Sequence, residues 1–270
     1  GVGSDDVLSL CFLTFFNSEK PILFPDITYS FYKVWAELYR IPYECPALDG
    51  DFRIVKEDYY RENGGIIFPN PNAPTAIYEE LDFIEDILEH NRDSIVIVDE
   101  AYVDFAGRSA MELIGKYDNL IVTQTFSKAR SLAGMRIGYA ISNPDLIRCL
   151  NDVKYSFNSY TMSRAAIVCG SAAVEDRAYF EKSVRRIKET RERTKGELAK
   201  LGFEFTDSKA NFLFARHPRY DGGRLFRELR DANIYVRHWD DEKIGQYLRI
   251  TVGTDEEMDT LLDFLRKQLS

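Results

Sequence analysis

The sequence predicts an α/β fold: a larger part built on a mainly parallel sheet, followed by a smaller α+β part. Three observations predict it. The runs Ile66-Ile67-Phe68, Ile95-Val96-Ile97-Val98 and Leu120-Ile121-Val122 are apolar without interruption, as strands buried on both faces are. Helix-length amphipathic stretches separate them, and strands alternating with helices give a parallel sheet. From about Asn143 the pattern changes to long helices and then short strand-like pieces. The division is placed at residues 1–165 and 166–270.

The first helix is expected over residues 7–13, after Gly3-Ser4-Asp5-Asp6, with Ser4 as N-cap and two aspartates in the first turn. A glycine-rich entry to a helix exposes backbone N–H groups that can hold an anion. Pro21-Ile22-Leu23-Phe24-Pro25 reads as a short strand, and residues 26–39 enter a helix. The segment Pro69-Asn70-Pro71-Asn72-Ala73-Pro74-Thr75 is too rich in proline for helix or central strand and makes a rigid loop. Helices are expected at 78–90 and 111–116. Beyond Asn143, helices are expected at 143–153, 162–173, 177–201, 223–232 and 255–268. Strand-like pieces there are 203–205, 211–215, 234–237 and 247–252. The charge pairs of 177–201 support a mostly solvated face.

With 270 residues, 45% hydrophobic and 29% charged, the chain has the composition of a soluble enzyme able to bury a full core. No apolar run has the roughly 20 residues a membrane helix needs. A formal net charge of −9 argues against a nucleic-acid surface. It also requires a local basic pocket for any anionic substrate. Cys11, Cys45, Cys149 and Cys169 have no paired metal spacing and read as buried free thiols, which places the chain in the cytoplasm. His90, His217 and His238 form no ligand cluster and receive no role; His90 is expected at a helix end.

The chemistry concentrates in Thr125-Phe126-Ser127-Lys128, with Arg136 eight residues past the lysine. A lysine placed directly after a buried strand has to be neutralised, paired or chemically used. A desolvated lysine amine near a cation forms Schiff bases with carbonyls. Ser127 and Arg136 could both hold a phosphate. Asn70/Asn72, Asp99 and Lys128 each follow a strand directly, and ligands of open α/β sheets bind at that edge. One polar residue at a strand end is unremarkable; three on successive strands are not.

This spacing resembles the lysine motif of the fold-type I, class-II pyridoxal-phosphate-dependent aminotransferases, and the likeness extends over the whole chain. The resemblance implies pyridoxal 5'-phosphate (PLP) as cofactor, with Lys128 as its Schiff-base lysine and Ser127 and Arg136 as phosphate ligands. Gly3-Ser4-Asp5 matches the phosphate-cradling turn. Thr28-Tyr29-Ser30-Phe31-Tyr32 matches the segment whose first tyrosine, Tyr29, stacks on the pyridine ring. In Val98-Asp99-Glu100-Ala101-Tyr102 the aspartate is expected to pair with the pyridine nitrogen, and Tyr102 to bond the phenolic oxygen. Catalysis is assigned to Lys128, Asp99 and Tyr102. Arg249 is the expected anion-binding residue for substrate, helped by Arg237 and Asn211.

The sequence departs from that family where Ala73 replaces an asparagine that touches the phenolic oxygen, and where Ala76 replaces a glycine. Asn72 turning inward, or Tyr102 alone, would then serve that oxygen. The resemblance implies transamination between 2-oxoglutarate and an amino donor that carries a phosphate and no carboxylate, in a homodimer. It also implies a further N-terminal segment ahead of Gly1. An aromatic amino-acid aminotransferase, a PLP decarboxylase of a phosphorylated amino alcohol, and an inactive N-terminally truncated fragment are the competing readings.

Overall fold

In the computed structural model, which describes residues 1–269, the chain builds two sheets. Strands β1 (Ile22–Leu23), β2 (Tyr43–Glu44), β3 (Ile66–Pro69), β4 (Val96–Asp99), β5 (Leu120–Thr125) and β6 (Gly138–Ile141) form the first, in the order β2-β1-β3-β4-β5-β6. Its pairs are parallel except that of β6 with β5. Strands β7 (Glu204–Phe205), β8 (Phe212–Arg216) and β9 (Leu248–Thr251) form a second, antiparallel sheet. The expected class, a mainly parallel sheet followed by a smaller α+β part, is the architecture present.

Side-chain alternation divides the first sheet into two apolar layers. Ile67, Ile97 and Ile121 face α1 (Ser4–Phe15) and α2 (Phe31–Tyr39). Phe68, Val98 and Val122 face α3 (Leu81–His90) and a 3-10 turn over Ala110–Leu113. Helix α4 (Pro144–Phe157) joins the first layer through Leu150. Its start follows the sequence rule: Asn143 Oδ1 accepts from the N–H groups of Asp145 and Leu146, and proline holds the first helical position.

Helix α5 (Arg164–Glu175) packs Ala166 on Phe126 and Ile137 beside the first sheet. Helix α6 (Arg177–Lys200), α7 (Gly222–Asp231) and α8 (Asp255–Leu269) follow. The second sheet has its own core, in which Leu213, Ala215 and Ile250 meet Leu198, Leu229 and Leu262. Arg191 on α6 is buried and donates to the carbonyls of Phe105 and Ala210, at 3.1 and 3.0 Å, so one guanidinium ties the two sheets' loops together. Lys209 N–H donates to Ala76 O at 2.8 Å, a second tie.

Several local expectations are corrected. Gly3, not Ser4, caps α1: Ser4 is already helical, and the cap has φ 86° and no side-chain hydrogen bond. The helix expected from residue 78 starts at Leu81, because the Tyr78 hydroxyl donates to Arg108 O and Glu79 N–H donates to Asn70 Oδ1, holding that stretch extended. Residues 234–237 form no strand; one bridge, Arg237 to Arg249, is all that pairs there. Of the cysteines only Cys11 is buried; Cys149 is exposed, and all four are free thiols. His90 does end α3, where its ring stacks on Tyr60 at 3.8 Å.

Candidate active site

Parallel pairing sets the ends of β3, β4 and β5 along one edge, with Pro69 opposite Asp99 and Asp99 opposite Thr123. A cavity of about 280 Å³ opens there. Among its lining residues are Ser4, Asp5, Tyr29, Asp99, Tyr102, Ser127, Lys128, Arg136 and Arg249. Elements from both sheets and from the start of α1 therefore meet in one place.

The loop after β5 is pinned by its apolar residues. Phe126 packs on Ile137 and Ala166, and Ala129 packs on Phe105 and Val184. Arg130 donates to Ala173 O and lies 4.2 Å from the Phe180 ring centre. That anchoring leaves the half-buried Ser127 and Lys128 facing the cavity. Lys128 Nζ sits 5.4 Å from the centre of the Tyr102 ring, and Tyr102 stands edge-on against Phe212 at 5.1 Å.

One corner is organised for an anion. Thr125 Oγ1 donates to Ser127 Oγ at 3.0 Å, and Arg136 Nη1 reaches the same oxygen at 3.5 Å. Arg136 Nη2 also meets Asp5 Oδ2 at 3.5 Å. A Cβ on Gly3 would stand 2.3 Å from Arg136 Nη2, and one on Gly138 would stand 2.3 Å from Ser4 N. Two glycines thus let the α1 entry, the Arg136 guanidinium and β6 close around the corner. Ser4, Ser127 and Arg136 supply N–H, O–H and guanidinium donors, the set that a phosphate ester takes.

Asp99 has the same parity on β4 as Ile97, so its side chain turns toward α1 and α2. It is buried, and burial raises its carboxyl from the ordinary 3.8 to about 6; the Tyr32 hydroxyl, the Ala101 N–H and Thr123 oppose that rise. Tyr32 donates to Asp99 Oδ2 at 2.9 Å. Tyr29 lines the cavity, donates to Asp5 Oδ1 at 2.7 Å and stacks on Phe31. Burial and then the Asp5 carboxylate push the Tyr29 phenol well up, so it stays protonated.

Arg249 reaches the cavity from β9, across the rings of Phe212 and Trp239 at 5.1 and 5.8 Å. Its Nε is buried with no hydrogen-bond partner among the described residues, a donor left for a ligand.

Three expected site residues stand elsewhere. Asn72 does not turn inward. Its amide donates to Ile27 O and Thr75 Oγ1, both at 3.0 Å, and its oxygen accepts from Thr28 at 3.1 Å; the residue that reaches the cavity is Ala73. Both amide donors and the side-chain oxygen of Asn72 are engaged in holding its own loop. Arg237 is exposed and outside the lining, over Trp239 at 5.7 Å, and a backbone bridge pairs it with Arg249. Asn211 also lies outside the lining, where its carbonyl accepts from Val252 N–H. Tyr32 and Thr125 were not expected. Each had a signal: Tyr32 stands three residues after Tyr29, and Thr125 ends the strand two residues before Ser127.

A family profile, aminotransferase class I and II, matches residues 1–265. The chain belongs to that family. It is 54% identical over 269 residues to histidinol-phosphate aminotransferase of Lactococcus lactis subsp. cremoris (strain SK11), covering all of this chain and 76% of that relative. In fold it matches the crystal structure of histidinol-phosphate aminotransferase from Clostridium acetobutylicum with a TM-score of 0.92 at 23% identity, covering 100% of this chain and 82% of that one. The enzyme of that name from Sinorhizobium meliloti, in complex with pyridoxal-5'-phosphate, matches with a TM-score of 0.88 at 23% identity, covering 99% and 76%. The class I and II aminotransferases are PLP-dependent. The site fits that cofactor: an anion corner closed by two glycines, an aromatic ring, a buried carboxylate and a lysine amine line one cavity.

Proposed function

We propose that this aminotransferase moves the amino group of L-histidinol phosphate to 2-oxoglutarate, giving imidazole-acetol phosphate and glutamate, in cytoplasmic histidine biosynthesis. The observation that carries the reading is the convergence of Lys128, Asp99 and Arg249 on one cavity. The 54% identity to the L. lactis enzyme supports the choice of amino donor.

In this reading Ser4, Ser127 and Arg136 bind the cofactor phosphate, with Gly3 leaving room for the guanidinium. Tyr29 would lie against the cofactor ring, and Asp99 would supply negative charge to its nitrogen. Tyr102 donates to the phenolic oxygen alone, since Ala73 offers no polar group. Lys128 would be the point of covalent attachment. Lys128 Nζ, when free, would take the proton from the substrate's amino-bearing carbon and give it up to the cofactor's carbonyl-derived carbon. When bound, PLP supplies the electron sink for that proton transfer.

Arg249 binds the phosphate of one substrate and a carboxylate of the other, because a guanidinium fork accepts either anion. Arg237, beside it on the rim, adds positive field without touching the ligand.

The enzyme acts as a homodimer. Phe31, Val34 and Leu38 form an exposed apolar stripe on α2, at 45%, 46% and 67% exposure, which a second subunit would cover. No helix among the described residues is long and apolar enough to cross a membrane.

The test is product analysis by mass spectrometry with L-histidinol phosphate, phenylalanine and O-phosphothreonine as separate donors. The reading requires glutamate formation with the first at the highest kcat/KM. Preference for phenylalanine, or carbon dioxide release from O-phosphothreonine, would replace it with the corresponding alternative.

A further inference from the structure

We propose that Tyr32 is a positioning residue for Asp99, its hydroxyl fixing the carboxylate in the orientation that pairs with the cofactor's ring nitrogen. The inference rests on the functional reading above. Tyr32 is fully enclosed, and its ring is set among Phe12, Phe24, Tyr29 and Trp35. Packing alone would be served by phenylalanine, and a hydroxyl placed there is costly unless it is bonded. Its bond goes to Asp99 Oδ2 at 2.9 Å. The other side-chain donor, Thr123 Oγ1, is 3.4 Å from Oδ1, near the limit of a hydrogen bond. Tyr32 is therefore the side chain that sets the direction of the carboxylate.

The groups around Asp99 make that bond consequential. From α1 it faces the Asp5 carboxylate and the Cys11 thiol, which burial pushes up to about 12 and so keeps neutral. From the segment ahead of α2 and from α2 itself it faces the protonated phenols of Tyr29 and Tyr32. From β5 it faces Thr123, and from the chain past β4 the Ala101 N–H. Lys128 and Tyr102 share the cavity. Burial and Asp5 favour the protonated acid, while Tyr32, Ala101 and Thr123 favour the carboxylate. Removing the Tyr32 hydroxyl shifts the balance toward a neutral acid, which offers no opposite charge to a protonated ring nitrogen.

The experiment replaces Tyr32 with phenylalanine and follows the Asp99 carboxyl by carbon NMR in cofactor-free protein carrying labelled aspartate. The signal is assigned by its loss in Asp99→Asn. The titration midpoint should rise by about one unit in Tyr32→Phe. With 3-fluorotyrosine placed at position 32, a stronger donor, it should fall. Should the phenylalanine variant not fold, the fluorinated protein alone decides. PLP affinity should drop about tenfold in Tyr32→Phe, yet change by less than about twofold when the same replacement is made in Asp99→Asn. An unmoved midpoint, or equal losses of affinity in both backgrounds, would reduce Tyr32 to a packing residue. If unaltered protein binds no PLP, the functional reading fails instead, and the carboxyl titration still reports on the Tyr32–Asp99 bond.

Discussion

Gly3→Ala isolates the anion corner. Gly3 has φ 86° and ψ 168°, a glycine-favouring backbone conformation that costs alanine about 1–3 kcal/mol. The new methyl would stand 2.3 Å from Arg136 Nη2 and 2.9 Å from Cζ, so the guanidinium has to leave. It sits at the end of a flexible side chain, so the departure itself is cheap. What is lost is its place beside Ser127 Oγ and Asp5. A charge-assisted hydrogen bond to phosphate contributes about 1.5–3 kcal/mol. That is about 10- to 150-fold in dissociation constant. The assay is equilibrium titration of cofactor-free protein with PLP, and in parallel with pyridoxal, which lacks the phosphate. PLP should weaken by that factor, while pyridoxal changes by less than about twofold. Equal loss for both ligands, or unchanged PLP binding by a folded variant, would refute the assignment of this corner to phosphate.

Three further outcomes are expected. Asp99 titrates at about 6 in the fold against an ordinary 3.8, so the folded state holds its proton more tightly and loses stability as pH rises from about 4 to about 6. Cofactor-free Asp99→Asn should therefore gain up to about 3 kcal/mol over the unaltered protein at pH 7 and only about 0.5 kcal/mol at pH 4, measured by urea unfolding. Ala76 has φ 61° and a fully buried methyl among Ala73, Ala210 and Phe212. Ala76→Gly relieves about 1–2 kcal/mol of strain, loses about 0.8 of methyl burial and loosens the unfolded chain by about 0.4–1, so its unfolding free energy should stay within about 1 kcal/mol of the original. Arg249→Gln should raise KM for the phosphorylated donor at least about tenfold with a smaller change in kcat, read from steady-state kinetics.

The strand ends that frame the cavity were legible because Ile66-Ile67-Phe68, Val96-Ile97-Val98 and Leu120-Ile121-Val122 are buried on both faces, a pattern that local sequence carries. Tyr29, Asp99, Ser127, Lys128, Arg136 and Arg249 were named from motifs, and the fold sets all six around one cavity. What was not legible depends on contacts distant in sequence. Gly138-Tyr139-Ala140-Ile141 pairs back along β5 after Arg136 takes a left-handed conformation, a turn that local sequence does not announce. The bond from Tyr32 to Asp99 spans 67 residues. Asn72 looked free to turn inward until Thr28 and Ile27 took its amide. Arg237 shares a sheet position with Arg249 through a single bridge, which no periodicity announces.

The central claim is that one lysine tethers the cofactor. Mixing the protein with PLP, reducing with borohydride and mapping the peptides by mass spectrometry tests it directly. The account predicts a single pyridoxyl group on Lys128, abolished when L-histidinol phosphate is added before reduction. Label on another lysine, or spread over several with Lys128 unmodified, would contradict it.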